Sequence, residues 1–392
     1  MIFQFQRTFF PVGQGAFYGE TIRNEENNST FNIVYDCGSV SKSAIKQTIK
    51  HSFPKGSKID ILFISHFDAD HVNQITTLKD EFDIKRVVMP LLDKNDADIL
   101  VGVYSILNQQ DVVDIIKRPE TFFGERTKIT KVRAVNQNDT DNNPEENDRL
   151  SIKAEEDNGM TNLPPEISSG TPIVYQCSRK DVWLYIPYNY KFKERNKQFK
   201  ELITQTNIDI DSIQNGKFTD EYMNKLKKLY KNKLDGVMEK LDGTINENSM
   251  LLISTPNPKE TFFWHYLSPR YYLDYRYYFD DYLHCGGCIY TGDASLDKIC
   301  DLFFNKVKSL NTISTIQVTH HGSKRSFDID FFKKINIEDR LIICPISFGS
   351  CNQYGHPAPS VLTELLSIGT MPIFITENRN DIYIQFGRIF IS

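Results

Sequence analysis

The densest chemical motif in this 392-residue chain is a set of two histidines and two aspartates within six residues, His66-Phe67-Asp68-Ala69-Asp70-His71. It directly follows the apolar run at residues 59–65, which is typical of a strand buried on both faces. Imidazole nitrogens and carboxylate oxygens are ligands for divalent ions such as Zn²⁺ and Mn²⁺. Burying four such groups together without a metal would be costly. The motif therefore predicts a metal site at the end of a strand.

Two later motifs repeat this pattern of an apolar strand that ends in polar residues. Residues 290–293 read Tyr-Thr-Gly-Asp, and Gly292 permits a tight turn before Asp293. Residues 319–323 read Thr-His-His-Gly-Ser and follow another strand-like stretch. Each motif alone is weak evidence, because a strand-end aspartate or a structural histidine pair is common. Together they predict that Asp293 bridges two metals held by the first motif and the histidine pair.

These motifs, in this order, resemble the metallo-β-lactamase superfamily, and within it the ComEC-type hydrolase domains of DNA-uptake channel proteins. Asp68 stands where most superfamily members have a second histidine. Three further elements carry the resemblance: Val12-Gly13-Gln14-Gly15 for an opening DVGQG-type motif, residues 33–38 (Ile-Val-Tyr-Asp-Cys-Gly) for the next strand, and residues 352–357 (Asn-Gln-Tyr-Gly-His-Pro) for a closing N-x-YGHP element.

The resemblance implies an α/β fold, an αβ/βα sandwich with two central mixed sheets, helices outside and large insertions. It implies two divalent metal ions, Zn or Mn, at one sheet edge. The implied ligands of the first metal are His66 and Asp68, those of the second are Asp70, His71 and one of His320 or His321, and Asp293 is shared. The catalytic candidates are Asp70, His320 and His321. Asp36 would orient a ligand, and Ser323, Lys324 and His356 are candidates for contact with the substrate.

One ligand of the superfamily has no clear counterpart here. Most members have a further histidine between the first motif and the bridging aspartate, and the candidates in this chain are His265 and His284. Neither follows a strand end, so we expect both to be structural or surface residues. The first metal site would then be completed by water or by an asparagine or aspartate from elsewhere, and it would be weak or empty. Compared with the ligands of an all-histidine zinc site, the aspartate-rich ligand set favours harder ions such as Mn²⁺.

The chain is predicted to form one domain with three insertions. The core is assigned to residues 1–92, 172–190 and 246–392. The insertions are an acidic, irregular segment (93–171) that includes a loop over 135–160, a basic helical segment (191–245) and an aromatic segment (257–284). The aromatic and basic segments suggest a surface for single-stranded nucleic acid, although a solvated helix face and a buried core or partner interface are the more common roles of such segments.

The chemistry of two metals predicts a phosphodiesterase or nuclease that uses a metal-activated hydroxide. The alternatives are a hydrolase for small phosphodiesters or other esters, and a partner-binding subunit of a multi-protein system, possibly a defence system, with a partly degenerate metal site. The expected partner is nucleic acid or another phosphodiester, and the insertions leave room for a protein partner.

Composition limits the remaining possibilities. The net charge of −5 excludes a polybasic nucleic-acid binder, so contact with nucleic acid must be local. No apolar run approaches the ~18 residues of a membrane span, and the start of the chain lacks the basic region of a signal peptide. The seven dispersed cysteines favour reduced thiols and a cytoplasmic location without a membrane partner.

Overall fold

The computed structural model describes residues 1–135, 149–153, 163–190, 249–257, 261–267, 286–307, 310–335 and 341–391. The predicted basic segment (191–245) lies outside these residues, as do most of the acidic loop over 135–160 and most of the aromatic segment (257–284).

Strands make up most of the described secondary structure. In chain order they are β1 (Ile2–Phe9), β2 (Phe17–Asn24), β3 (Thr30–Cys37), β4 (Lys58–Ile59), β5 (Ile61–Phe63), β6 (Asp83–Ile84), β7 (Arg86–Pro90), β8 (Lys128–Arg133), β9 (Leu150–Lys153), β10 (Glu166–Ser168), β11 (Ile173–Cys177), β12 (Lys180–Tyr188), β13 (Leu251–Pro256), β14 (Thr261–Leu267), β15 (Gly287–Tyr290), β16 (Ile313–Ile316), β17 (Ile343–Ser347), β18 (Met371–Ile375) and β19 (Tyr383–Ile391).

These strands form two mixed sheets and one short strand pair. The first sheet has the order β10-β8-β7-β5-β3-β2-β1-β19-β14, and the second has the order β18-β17-β16-β15-β13-β12-β11-β9. β4 and β6 pair separately. In the first sheet the strands from β3 to β10 are parallel, so their carboxyl ends meet at one edge of the sheet.

Helices connect these strands. They are α1 (Lys42–Lys50), α2 (Ala69–Val72), α3 (Ile75–Glu81), α4 (Lys94–Ile106), α5 (Gln110–Lys117), α6 (Pro119–Phe123), α7 (Leu296–Lys306), α8 (Ile329–Ile335) and α9 (Pro359–Ser367). No helix among the described residues combines the length and the apolar character that crossing a membrane requires.

Three hydrophobic clusters define four layers. One cluster lies between the two sheets and includes Phe5 stacked on Trp183, with ring centroids 4.4 Å apart. A second lies between the first sheet and helices α1, α3, α4 and α5, and a third lies between the second sheet and helices α7, α8 and α9. The architecture is therefore the αβ/βα sandwich that the resemblance implies.

The inner layer also contains a buried ion pair of the first sheet that is hydrogen-bonded to the second sheet. Nε of Arg7 is 2.7 Å from Oε1 of Glu20, and both side chains are almost fully buried. Glu20 accepts hydrogen bonds from the hydroxyls of Ser254 and Tyr290, which belong to the second sheet. A buried ion pair needs such additional hydrogen bonds to offset the loss of hydration.

Between β1 and β2 the chain forms a loop in which Gly13 and Gly15 adopt positive φ. The structure differs from the sequence-based expectations at two places. The segment 93–171 was assigned to an insertion, whereas β8 and β10 within it pair in the first sheet and β9 pairs in the second. The segment 257–284 includes β14, which pairs with β19.

Candidate metal centre

The first ligand motif lies in the connection from the buried strand β5 to the short helix α2. The backbone of α2 is closely packed against two glycines that precede it in the chain. A Cβ atom on Gly15 would lie 2.7 Å from the carbonyl oxygen of Asp70, and one on Gly38 would lie 2.4 Å from the same atom. Any other residue at either position would displace α2. Two of the sequence elements that carry the family resemblance therefore set the position of Asp70 and His71.

His71 lies at the centre of the site and is fully buried. Its Nδ1 is 2.8 Å from Oδ2 of Asp36, and its Nε2 is 3.2 Å from Oδ1 of Asp293. Burial alone would lower the pKa of His71, but Asp293 and Asp36 outweigh it and raise the pKa well above its usual value. The same carboxylates would stabilise a metal cation beside Nε2.

Asp36 is held in a conformation in which its carboxylate contacts His71. Its backbone has a φ of 56° in the left-handed region. The backbone N–H and the hydroxyl of Ser65 donate hydrogen bonds to its carboxylate at 2.7 and 2.6 Å. Burial raises the pKa of Asp36 despite these contacts. A carboxylate on one ring nitrogen directs the other towards a metal, as in many metal sites.

His66 is a neutral imidazole in this structure. Burial and the neighbouring His71 lower the pKa of His66 to about 3. Its Nδ1 lies 2.8 Å from the hydroxyl of Ser65 and 2.9 Å from that of Ser249, and its Nε2 is 3.9 Å from Oδ2 of Asp293. The two serine hydroxyls therefore fix the ring with Nε2 towards Asp293.

Asp293 follows β15 at a tight turn in which Gly292 has a φ of 53°. The backbone N–H of Asp293 donates a hydrogen bond to the hydroxyl of Ser249 at 3.0 Å. Burial would raise the pKa of Asp293, but His320 and His71 outweigh it and hold the pKa well below its usual value. The structure places this carboxylate against both His66 and His71, and its role as a bridging ligand remains a prediction.

The two histidines of the third motif take different positions. Nε2 of His321 is 3.2 Å from Oδ2 of Asp70, and its Nδ1 is 2.8 Å from the carbonyl oxygen of Ser347. Nδ1 of His320 is 2.9 Å from the hydroxyl of Ser326, and its Nε2 is 3.8 Å from Oδ2 of Asp293. Both histidines have positive φ, a strained backbone conformation that is typical of functional sites.

The contact between His321 and Asp70 shifts the pKa values of both side chains. Burial would raise the pKa of Asp70, but the hydrogen bond from His321 and the charge of His71 lower it to about 2. Burial would lower the pKa of His321, but Asp70 and Asp293 outweigh it and raise the pKa. Asp70 is therefore ionised at neutral pH, as a metal ligand must be.

Within the described part of the chain, two sets of side chains are arranged to hold a metal ion. The first is His66, His71 and Asp293, and the second is Asp70, His71 and His321. In each set the ligand atoms lie within 4.8 Å of one another. Nε2 of His66 and Nε2 of His71 are buried and make no hydrogen bond with the described residues. Because such buried atoms are costly and rare, the donor set fits divalent metal ions.

Asp68 belongs to neither set, although the resemblance assigns it to the same metal as His66. The hydroxyl of Tyr104 donates a hydrogen bond to its Oδ1 at 2.6 Å. Burial and the charge of Asp70 raise the pKa of Asp68 to about 7. Tyr104 lies on α4, in the segment assigned to the acidic insertion, and no sequence motif identified it.

Ser249 faces His66 in the region where the sequence has no histidine for the first metal. Of the two histidine candidates, His265 lies on β14, five strand intervals from β5 across the first sheet. At about 4.8 Å per interval that is about 24 Å, so the backbone of His265 is far from both ligand sets. His284 lies outside the described residues. Ser249 was not identified from the sequence, because a serine before a strand gives no signal.

A row of rings leads from Asp293 to the surface. The ring of His356 lies 5.7 Å from that of His320, and the ring of Tyr354 lies 5.9 Å from that of His356 at an interplanar angle of 27°. Burial and His320 lower the pKa of His356 to about 4, so its imidazole is neutral at pH 7. Tyr354 is 62% exposed. It belongs to the N-x-YGHP element, but sequence reasoning did not single it out.

The loop that carries Tyr354 and His356 is held by Asn352. Oδ1 of Asn352 accepts hydrogen bonds from the backbone N–H groups of Tyr354 and His356, both at 3.1 Å. Its Nδ2 donates to the carbonyl oxygens of Gly349 and His356, both at 2.7 Å. The loop is therefore preorganised beside the site.

The two other predicted substrate residues lie next to the histidine pair. Ser323 is buried, and its backbone N–H donates to the carbonyl oxygen of His320 at 2.9 Å. Lys324 is exposed.

A family model matches part of the chain. Residues 25–172 match the family model described as Metallo-beta-lactamase superfamily. This range includes the first ligand motif but neither Asp293 nor the histidine pair. Among solved structures, the chain is similar to the metallo-β-lactamase fold protein YhfI from Bacillus subtilis, with 9% identity, coverage of 97% of this chain and 99% of that chain, and a TM-score of 0.37. A search of curated proteins found no match. The family match and the two-sheet architecture confirm the predicted metallo-β-lactamase fold.

Proposed function

We propose that this protein is a metal-dependent phosphodiesterase that cleaves nucleic acid. The observation that carries the proposal is the arrangement around His71, which belongs to both ligand sets and lies 3.2 Å from Asp293. Two adjacent sets of imidazoles and carboxylates suit a pair of divalent ions, for which Mn and Zn are the candidates.

In this proposal His66 and Asp293 would hold one ion, and Asp70 and His321 would hold the other. His71 would bind one of the two through Nε2, because its Nδ1 is bonded to Asp36. The bound ions would supply a hydroxide at neutral pH and neutralise charge on a phosphoryl oxygen. The protein's own residues orient these ligands. Asp36 directs His71, and the carbonyl of Ser347 fixes the ring of His321.

His320 and His356 are proposed to contact the substrate. Nε2 of His320 lies 3.8 Å from Asp293, so His320 is close to the ligands but belongs to neither set. In this position its imidazole is suited to donate a hydrogen bond to a phosphoryl oxygen. His356 packs against His320 and limits the positions of its ring.

Tyr354 favours nucleic acid over other phosphodiesters. An exposed tyrosine on a rigid loop, in line with His356 and His320, is suited to stack a base beside the scissile phosphate. A closer relationship to the ComEC-type hydrolase domains, which the first motif and the N-x-YGHP element suggest, is part of this proposal.

The direct test is Mn-dependent cleavage of end-labelled single- and double-stranded DNA by the wild type and by Asp70→Ala. We expect activity to fall about a thousand-fold or more in the variant, because a metal ligand worth several kcal/mol is removed. The matched control is Asp301→Ala, which removes a carboxylate that is 90% exposed and pairs with Lys334 on the surface. It should keep full activity and the same metal content.

Two outcomes would contradict the proposal. Full activity of Asp70→Ala would show that the site is assigned incorrectly. Absence of cleavage by the wild type at full metal occupancy would contradict nuclease activity, and bis(p-nitrophenyl) phosphate would then test for a hydrolase of small diesters.

A second candidate is a partner-binding subunit with a degenerate metal site. The observation that favours it is Ser249, whose hydroxyl faces His66 where the superfamily has a histidine ligand. This candidate predicts that Asp70→Ala leaves the biological function intact and that the wild type binds at most one equivalent of metal.

A further inference from the structure

A polar cavity lies at the amino ends of the strands whose carboxyl ends lead to the metal centre. It has a volume of about 340 Å³ and is lined by the starts of β3 and β7, by β4 and Asp60 just before β5, and by parts of β9 and β11. Thr30 in its lining is six residues before Asp36 on β3, which corresponds to about 20 Å along the strand. The cavity is therefore separate from the metal centre.

The charged side chains of this cavity are mainly cations. Lys58, Lys85, Arg86 and Lys153 line it, and Asp60 is the one carboxylate among its described lining residues. Asp83, outside the lining, is 2.9 Å from the ammonium of Lys85. Among the described lining residues and Asp83, four cations stand against two carboxylates.

The cations lie at different depths. Arg86 is only 5% exposed, whereas Lys58 and Lys153 are exposed at the rim. A buried guanidinium below two exposed ammonium groups suits an anion that enters from solvent, because arginine binds phosphate oxygens in pairs and lysines attract the anion over longer distances.

The walls of the cavity are held by hydrogen bonds. The backbone N–H of Asn32 donates to Oδ2 of Asp60 at 2.8 Å, and Nδ2 of Asn32 donates to the carbonyl oxygen of Lys58 at 2.9 Å. The backbone N–H of Lys85 donates to the carbonyl oxygen of Ile59 at 2.8 Å. The ring of Phe31 stacks on that of Tyr175 at 4.3 Å and closes the apolar side. The cavity is therefore formed before any ligand binds.

We propose that this cavity binds a small phosphorylated molecule of up to nucleotide size, with its phosphate held by Lys58, Lys85, Arg86 and Lys153. The volume lies at the lower end of the ~300–1,000 Å³ of small-molecule sites. Burial also raises the pKa of Asp60 to about 6, which reduces its repulsion of an anion in mildly acidic solution. The proposal does not depend on the activity of the metal centre.

The test uses AMP and inorganic phosphate as probes, with binding measured by isothermal titration calorimetry and by the shift in Tm. The full-length chain carries Asp70→Ala and is kept in EDTA, so that neither probe binds through a metal. We expect AMP to bind and to raise Tm. The double variant Lys58→Gln/Lys153→Gln should weaken binding about ten-fold or more, because two charge-assisted contacts are removed.

The matched control is Lys46→Gln/Lys50→Gln, which removes two exposed lysines from α1 and changes the net charge equally. It should leave AMP affinity unchanged. Phosphate binding as tight as AMP would assign the site to free phosphate, and tighter AMP binding would assign it to an organic phosphate. Absence of binding by either probe at millimolar concentration, or equal weakening by both double variants, would overturn the proposal.

Discussion

Strands β3, β5 and β7 have different side chains at their two ends. The carboxyl ends of β3 and β5 carry or precede imidazoles and carboxylates, and the amino ends of the three strands lie beside lysines and an arginine. At the carboxyl end the imidazoles are buried and each is held through Nδ1, as His71 is by Asp36. At the amino end Lys58 and Lys153 are exposed at the rim. Precise placement suits metal ligands, whereas adaptable cations are sufficient to attract an anion.

The largest effect is expected from substitution of Asp36, whose carboxylate holds His71 in the metal centre. In Asp36→Asn the amide oxygen would take the place of Oδ1, which accepts the backbone N–H of Ser65, so the NH₂ group would face His71 Nδ1. This arrangement removes the acceptor that keeps the proton on Nδ1 and the lone pair on Nε2. We expect metal affinity to fall 10- to 100-fold, measured by competition with a chromophoric chelator. Asparagine tolerates the positive φ of Asp36, so the fold should be retained.

Ser65→Ala is the matched comparison for Asp36→Asn. It removes one hydroxyl contact to Asp36 and one to Nδ1 of His66, which Ser249 still contacts, but it leaves the backbone N–H bond and the carboxylate. Its loss of metal affinity should therefore be smaller. Equal losses in the two variants would mean that general disruption, rather than the tautomer of His71, controls metal binding.

The next effect concerns substrate contact at the same end. Tyr354→Ala should raise KM for a single-stranded oligonucleotide about ten-fold with little change in kcat, because one base loses its stacking partner. Tyr354→Phe keeps the ring and should behave like the wild type. An abasic site at the stacked position should remove the difference between wild type and Tyr354→Ala. An equal difference on intact and abasic substrates would contradict a stacking role.

The sequence identified more of the residues that meet at the carboxyl ends of the strands than of those at the amino ends, because the former lie in short motifs that each follow a buried strand. His66, Asp70, His71, Asp293 and His321 were all identified in this way, and the structure brings them together. The partners that come from distant segments were missed. Tyr104 reaches Asp68 from a helix that was assigned to an insertion, and Ser249 reaches His66 across 183 positions of the chain. Such contacts depend on how the sheets pack rather than on a local pattern.

The cavity residues at the amino ends of the strands gave no signal in the sequence, because they too come from distant segments. Lys58, Arg86 and Lys153 come from three separate segments, and a single lysine or arginine at a strand end usually indicates a solvated surface. The buried pair of Arg7 and Glu20 was missed likewise, since alternating strands place polar residues towards solvent more often than towards a second sheet. The two-layer packing of the sheets is needed to recognise either group.

The smallest effect is expected at the amino end, from Asp60→Asn. The folded pKa of Asp60 is about 6 and its usual value is 3.8. Folding therefore favours the protonated form, and the wild type loses stability as the pH rises from about 4 to about 6. The charges that face Asp60, those of Arg86, Lys58 and Lys85, reduce this loss without cancelling it. Asparagine does not titrate, so Asp60→Asn should be more stable than the wild type at pH 8 by about 1 kcal/mol.

Asp60→Asn also tests whether the cavity at the amino ends and the metal centre at the carboxyl ends are independent. Urea unfolding at pH 4 and pH 8 should show that the stability difference between Asp60→Asn and wild type disappears at the lower pH. AMP affinity at pH 8 should rise a few-fold in the variant, because the cavity loses its carboxylate charge. Metal affinity should not change, since Asp60 and the metal ligands lie at opposite ends of β5. A stability difference that is the same at both pH values would contradict the raised pKa, and a change in metal affinity would show that the two ends are coupled.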